Sequence, residues 1–571
     1  MTTTTRARVS PVPHPPVVAI LLLFLLAVTG CSSSSGGQST PDAGGQSTPD
    51  AGNDLIVTLP DGVVRGDLVG GSDGGVGARL FVKIPYAKPP VGPLRWKAPE
   101  RNDPWTTPRH ETSFADPCPQ SSNQQNAGST SEDCLYVNVW APEPSPAKAA
   151  VMVWFYGGAN IMGATSDHVP TTTQLWYDGQ FFAARHDIVL VTVNYRVGVM
   201  GFFAHPALAA EQSPLGNQGL FDQRAALQWV QRNISAFGGD PQNVTIFGES
   251  AGAIDVCYHV ASPGDQGLFA RAISESTGCT STTVGGVKTR TATDVAPDLD
   301  AFAKTMGCDT AADPLACLRS QSVSSLLAAS PQLSEGTSSL APAFTFGVVV
   351  DGPGGFVPDQ PRTLYDSGRI AHVPYLLGSN NDEGMLFILT STIPTDDASY
   401  AAELQKRFGS FAPQVLAEYP ASKFNGDYRV ALGRVVGDVN LVCGTLDTAQ
   451  RAAKAGLPVF MYNFNMPWQI QPTLLLASHA SEMSHVFGDP VHPTGGDTLV
   501  SNAMNAFWAH FAQTGDPNFS GAPATWPPFG PDASGNDQRL QLDTGFEDLT
   551  AFRKEECAVW AQYYDQGFAG Q

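Results

Sequence analysis

Val244–Thr245–Ile246–Phe247–Gly248–Glu249–Ser250–Ala251–Gly252 is the stretch that decides the reading of this chain. Val244 to Phe247 reads as a short strand, and Ala251 to Val260 as an apolar, helix-compatible segment. Between them Gly248 to Gly252 matches G-x-S-x-G, in the strand–turn–helix context where that pattern presents a nucleophile. The turn is sharp enough to hold a serine in a strained backbone conformation, and the flanking glycines admit neighbouring chain that a Cβ would exclude. Ser250 Oγ is then expected to project from the carboxyl end of a sheet, with the Ala251 N–H aimed at a developing oxyanion.

Outward from this point the chain alternates strand and helix patterns. Val151–Met152–Val153–Trp154–Phe155 and Ile188–Val189–Leu190–Val191–Thr192–Val193 are continuous apolar, β-branched runs, as expected of central parallel strands. Gly219 to Asn233 reads as a helix, with Leu220, Leu227 and Val230 able to share a face. Val373 to Gly378 reads as a later strand. Val500, Met504, Phe507, Trp508 and Phe511 fall at helical spacing before a Gly515–Asp516–Pro517 stop. The pattern implies an α/β class, a central and mostly parallel sheet with helices on both faces. Acids outnumber bases, 53 against 32, for a formal charge of −21 over 571 residues. That balance disfavours nucleic acid and anionic membrane surfaces as partners.

Several further segments carry a family resemblance. Asn217 to Gln223, Phe237–Gly238–Gly239–Asp240–Pro241 and Val244 to Gly252 resemble the type-B carboxylesterase family, which includes cholinesterases and bacterial para-nitrobenzyl esterases. Glu132 to Val139 is similar to a second signature of that family, and Ile84–Pro85–Tyr86–Ala87, Pro89 to Gly92 and Asn194 to Gly198 also match. The resemblance runs from about residue 55 to 562. It implies an α/β-hydrolase fold in one catalytic domain, residues 54–571, and hydrolysis of carboxylic esters without a cofactor.

In that fold the chain order is serine, acid, histidine. Asn381–Asp382–Glu383–Gly384, after the strand pattern, is similar to the family's acid motif and makes Glu383 the acid, with Asp382 the runner-up. Ala477–Ser478–His479–Ala480–Ser481–Glu482 is similar to the family's histidine segment and makes His479 the base. His485 and His492 are rivals by sequence; His485 stands where the family has an aromatic and reads as a packing residue. His479, Glu482 and His485 have an H-x-x-E-x-x-H spacing that matches no zinc motif, so no metal is expected. Gly157–Gly158–Ala159 follows the strand ending at Phe155, and the resemblance makes the amides of Gly158 and Ala159 oxyanion donors beside Ala251. The sequence departs from the family here: Ala159 stands for a third glycine and Asn160 for an aromatic. These changes bear on substrate scope, because the N–H survives while an added methyl narrows the acyl side. Ser276 reads either as a buried support for the triad or as a strand-end cap, and Glu249 as buried and structural.

The N-terminus reads as an export signal. Arg6 and Arg8 precede an apolar run from Val17 to Val28, too short to span a bilayer. Val28–Thr29–Gly30–Cys31 resembles a bacterial lipobox, making residues 1–30 a signal peptide and Cys31 a lipidated terminus. Residues 31–53 then form a polar tether that twice repeats GGQSTPDA and cannot bury a core. The protein is thus expected to be exported and lipid-anchored to the cell envelope, at the outer membrane of a Gram-negative host. Besides Cys31 there are eight cysteines, an even number that suits an oxidising compartment. The resemblance pairs Cys118 with Cys134, Cys308 with Cys317 and Cys443 with Cys557, leaving Cys257 and Cys279 as a candidate fourth bridge. Residues Pro119 to Asp133, inside the first of these loops, contain no Trp, which argues against a site that binds a choline-type cation over an indole face. The expected substrate is a small neutral or aromatic ester. The alternatives are a lipase for longer-chain esters and a non-catalytic surface module resembling the neuroligins.

Overall fold

The computed structural model describes residues 55–70, 77–120, 130–170, 172–211, 214–281, 289–330, 346–469, 471–488 and 494–569. The expected signal, Cys31 and its tether, and His492, lie outside the described residues. Among the described residues fourteen strands are present: β1 Ile56–Leu59, β2 Gly62–Arg65, β3 Asp67–Val69, β4 Ala78–Pro85, β5 Arg109–His110, β6 Tyr136–Pro142, β7 Ala149–Phe155, β8 Val189–Val193, β9 Gly239–Glu249, β10 Arg271–Glu275, β11 Tyr375–Asn380, β12 Val459–Phe464, β13 Gln538–Leu542 and β14 Asp548–Thr550. Eleven of them form one sheet in the order β14-β13-β12-β11-β10-β9-β7-β8-β6-β4-β3. Every pairing from β8 across to β13 is parallel, and the antiparallel pairings are confined to the two flanks.

The central strands are continuously apolar because both faces are covered. β6, β7 and β8 are buried at every residue. Neighbouring residues of β7 make the point, since successive side chains leave a strand on opposite faces. Trp154 meets Phe487 edge-on at 5.2 Å, whereas Phe155 stacks on His259 of the helix Ala251–Ala261 at 5.1 Å.

All four strands read from the sequence shift at a boundary: β7 begins two residues before Val151 and β8 one residue after Ile188, and the other two shift at both ends. The strand expected over Val373–Gly378 runs Tyr375–Asn380. Pro374 has no N–H to give a central ladder, so β11 begins pairing at Tyr375, opposite Ala272 and Val459. The strand expected over Val244–Phe247 extends to Gly239–Glu249, because Gly239 pairs with Ala149 before a register shift restores pairing from Val244. The helix expected over Gly219–Asn233 occupies Gln218–Asn233, and the late helix is Gly495–Thr514, ended by Gly515 at φ 86°.

The parallel arrangement positions the site. β7, β9, β10 and β11 all end on one edge, so Gly157–Gly158, Ser250, Ser276 and Glu383 follow neighbouring strand ends. The structure pairs Cys118 with Cys134, Cys257 with Cys279, Cys308 with Cys317 and Cys443 with Cys557. No helix among the described residues is long and apolar enough to cross a membrane.

Candidate active site

Ser250 sits at φ 55° and ψ −121°, between the end of β9 and the first turn of the helix Ala251–Ala261. A serine rarely adopts this conformation, and the surroundings enforce it. A Cβ on Gly252 would lie 2.0 Å from the Phe155 carbonyl oxygen, and one on Gly248 would lie 2.6 Å from the Gly252 carbonyl carbon. Both motif glycines are therefore demanded by close backbone approach. The Ser250 amide donates to the Glu275 carbonyl at 3.0 Å, tying the turn to the end of β10. Ala251 opens the helix, so its N–H has no intrahelical acceptor.

His479 reaches this turn from the segment before a short helix, Met483–Val486. Its Nδ1 lies 2.8 Å from Glu383 Oε2, and its backbone N–H donates to the Glu383 carbonyl at 3.3 Å. The ring packs on Phe387 with centroids 5.0 Å apart. Its Nε2 lies 3.1 Å from Oε1 of Glu249, the residue before the nucleophile. Among the described residues no hydrogen bond joins Ser250 Oγ to His479.

Glu383 occupies a 3₁₀ turn, Glu383–Met385, just past β11 and is 1% exposed. Its second oxygen accepts from the Asn380 amide at 2.7 Å, so both carboxylate oxygens are engaged. The turn is pressed against the helix Tyr428–Gly437: a Cβ on Gly384 would stand 2.0 Å from the Gly433 carbonyl oxygen. Asp382, the alternative acid, is paired elsewhere, accepting from Arg434 Nη2 at 2.6 Å. His485, the alternative base, faces Asp497 at 3.4 Å and packs edge-on to Phe464.

Beneath the imidazole lies a cluster of buried carboxyl groups. Glu482 accepts from Ser276 Oγ at 3.0 Å and from the Asn380 side-chain amide. Ser276 therefore supports the carboxyl three residues beyond His479, rather than merely capping its strand. Glu275 accepts from Trp508 Nε1 at 2.7 Å, while its other oxygen has no partner among the described residues. Burial raises Glu482 to about 7, with the Glu383 charge adding to it, and burial drives Glu275 well above the carboxylate range. Burial also raises Glu249 to about 8, against the pull of His479. For His479 burial acts downward, but Glu249, Glu383 and Glu482 outweigh it and lift the imidazole to about 9. His479 Nε2 and Glu249 Oε1 stand 3.1 Å apart, so the charge on each bears directly on the protonation of the other.

The loop after β7 completes the arrangement. Gly157 packs directly on the elbow, since a Cβ there would be 3.0 Å from Ser250 Cβ and 2.9 Å from Glu249 Oε2. Gly158, Ala159 and Asn160 then take three successive positive φ values, 97°, 58° and 58°. Among the described residues the amides of Gly158 and Ala159 have no acceptor. The Gly158, Ala159 and Ala251 amides thus all stand without a backbone acceptor among the described residues, at neighbouring strand and helix ends.

Sequence reasoning undervalued Glu249. It reads as buried and structural; it is buried, and its Oε1 lies 3.1 Å from the imidazole Nε2. The available signal was its place in G-x-S-x-G, where a carboxylate is carried by the same turn that must meet the histidine. Trp176 and Trp468, which could have compensated for the Trp-free Cys118–Cys134 loop, are partly buried; Trp176 packs on Tyr177 with rings 8° from parallel.

Residues 53–560 match the carboxylesterase family. The chain is also similar to a cholinesterase of Mus musculus, 34% identical over 559 residues that cover 90% of this chain and 87% of the relative.

Proposed function

The chain belongs to the carboxylesterase family and is a carboxylic ester hydrolase, and from that premise we propose that Ser250, His479 and Glu383 serve as nucleophile, base and orienting acid on small neutral or aromatic esters. The observation that carries the proposal is the span of one imidazole. Its Nδ1 is held 2.8 Å from Glu383, and its Nε2 stands at the nucleophile elbow, 3.1 Å from the carboxyl of the residue preceding Ser250. A base so placed needs only a local adjustment to meet Ser250 Oγ, and catalytic hydrogen bonds commonly close only once substrate is bound.

In this reading Ser250 Oγ bonds to the ester carbonyl carbon as its proton passes to His479 Nε2. The carbonyl electron pair moves onto oxygen, which accepts from the amides of Gly158, Ala159 and Ala251. Collapse breaks the bond to the alkoxide, which leaves with the proton from Nε2. Water then repeats the sequence on the acyl-enzyme, giving its proton to His479 and releasing the acid. Glu383 stabilises the imidazolium and fixes its tautomer. Each donor amide is worth roughly 3–4 kcal/mol in the transition state.

Two features support the substrate class. Ala159 carries a methyl beside its own donor amide, which narrows the space next to the oxyanion, and the segment Pro119–Asp133 offers no indole to a cationic alcohol. Hydrolysis of a para-nitrophenyl ester series by the full chain, beside Ser250→Ala, tests the proposal. Turnover that falls steeply with acyl length and vanishes in the variant is the expected result. A rate jump at a lipid–water interface would replace it with a lipase. No turnover by the folded protein would replace it with a binding module.

We also propose that the protein is exported and held at the cell envelope through lipidated Cys31, with residues 31–53 as tether; the motif Val28–Cys31 and four disulfides support this. Mass spectrometry of the N-terminal peptide tests it: an acylated Cys31 is expected, and a terminus cut elsewhere with free Cys31 would overturn it.

A further inference from the structure

A buried side-chain bridge joins the loop after β7 to the helix that follows Ser250. Asn160, 5% exposed, ends the run of positive φ values that aims the amides of Gly158 and Ala159. Asparagine tolerates that backbone region better than most residues. Its side-chain amide donates to Asp255 Oδ1 at 2.8 Å. Its backbone carbonyl accepts from the Gly198 amide at 2.6 Å, and its Oδ1 lies 3.4 Å from the Tyr195 hydroxyl. Asp255 lies in the helix Ala251–Ala261, four residues after Ala251 and so on the same helical face.

The bridge is anchored at both ends. Asp255 Oδ2 accepts from Gln223 Nε2 at 2.7 Å, and Gln223 Oε1 faces His259 Nε2 at 2.9 Å. His259 Nδ1 faces Asp265 Oδ2 at 2.8 Å, and Arg224 closes the chain on Asp265. Gln223, Asp255, His259 and Asp265 are all 0% exposed. At the other end Tyr156 and Tyr195 stack at 4.2 Å and exchange hydrogen bonds, each hydroxyl donating to the other's carbonyl at 2.7 and 2.6 Å. The loop root and the nucleophile helix are thus both immobilised, and the Asn160–Asp255 hydrogen bond is the side-chain link between them.

We propose that Asn160 and Asp255 are positioning residues that set the Gly158 and Ala159 amides against the Ala251 amide, so that all three meet the same oxygen; this rests on the hydrolase mechanism proposed above. Fully satisfied buried networks specify one geometry, and partly satisfied ones lose it. A displacement of about 1 Å at such a site costs on the order of 100-fold in rate. Asn160 and Asp255 are buried and engaged with each other, so they are assigned to positioning and their effect is expected in kcat.

The test compares Asn160→Asp, Asp255→Asn and the double exchange Asn160→Asp/Asp255→Asn in the full chain. Asn160→Asp sets two carboxyl groups face to face, whereas the double exchange restores a donor opposite an acceptor. In the double exchange the amide introduced in the helix keeps an oxygen for the Gln223 hydrogen bond, and the carboxylate introduced in the loop keeps one facing the Tyr195 hydroxyl. The readouts are kcat and KM for a short para-nitrophenyl ester, affinity for an aryl trifluoromethyl ketone that forms a tetrahedral adduct, and melting temperature. Asn160→Asp is expected to lower kcat by about 10- to 100-fold with KM within about twofold, ketone affinity falling in step and the exchange recovering most of both. If Asn160→Asp fails to fold, Asn160→Ser provides the same comparison of kcat with ketone affinity. Unchanged kcat and ketone affinity with only a lower melting temperature would overturn the proposal. Activity surviving Ser250→Ala would instead overturn the mechanism on which it rests.

Discussion

His479 Nε2 and Glu249 Oε1 lie 3.1 Å apart, and Glu249 immediately precedes Ser250 in the chain. The carboxyl therefore stands against the face of the imidazole that the hydrolase mechanism proposed above assigns to Ser250. An ionised Glu249 stabilises the imidazolium and withholds the base, whereas a protonated Glu249 removes the largest of the charges that favour the imidazolium.

Glu249→Gln is expected to move the acid limb of the kcat/KM profile to lower pH. Burial lowers the His479 value while Glu249 heads the groups that raise it to about 9, so removing that charge lets the imidazole deprotonate earlier. A pH–rate profile of the variant checks this. An acid limb at the wild-type position would mean that Glu249 already carries its proton throughout.

Glu383→Gln and Asp382→Asn are expected to differ sharply. The first replaces the carboxylate on His479 Nδ1 by an amide, favouring the wrong tautomer, at a cost of about 10⁴-fold in kcat. The second weakens the contacts with Arg434 and the Asn381 side-chain amide but leaves His479 untouched, and is expected to cost less than about tenfold. Steady-state kinetics on one ester decides it; comparable losses would reassign the acid.

Stability is expected to fall on the alkaline side because buried carboxyl groups here have raised values. Such a group binds its proton more tightly folded than unfolded, so its contribution is complete below about 4.5 and is lost as pH rises through the folded value. For Glu482 that window ends at about 7 and for Glu249 at about 8. The His479 value is raised too, so its contribution is likewise lost as pH climbs through about 9. Melting temperatures at pH 5.5 and 8 are expected to drop less in Glu482→Gln than in wild type. An equal drop would place the pH sensitivity elsewhere.

The disulfides are expected to contribute unequally. Cys443–Cys557 closes a separation of 114 residues and Cys257–Cys279 one of 22. Chain entropy gives about 5 and about 3 kcal/mol respectively. Pairwise alanine variants, compared by denaturant unfolding, check the order; a larger loss at Cys257–Cys279 would show that clamping the nucleophile helix outweighs loop entropy.

Much of the architecture was legible because the central strands are uniformly apolar and their length is bounded by turn residues. The boundary at Tyr375 was missed because Val373 suits a strand while Pro374 cannot donate to the ladder. The polar start of β9, Gly239 to Asn243, carries no strand signal and pairs only because Ala149 of β7 lies alongside. The serine motif was legible because its glycines answer a local steric demand. Of the neighbouring acids Asp382 and Glu383, adjacent in sequence, the resemblance favoured the second; composition alone could not choose.

The sequence by itself determined the local conformations: the strained serine, the glycines beside it, the strands and the helix that follow. Those depend on sterics and side-chain periodicity within a few residues. The tertiary structure alone decided which buried polar group meets which. His479 finds Glu383 across 96 residues, and Asn160 finds Asp255 across 95. Parallel strands end on one edge only after the whole sheet has assembled, and a buried carboxyl must then take whatever donor that edge supplies. The assembled sheet, not the spacing of residues, placed Glu249 against the imidazole.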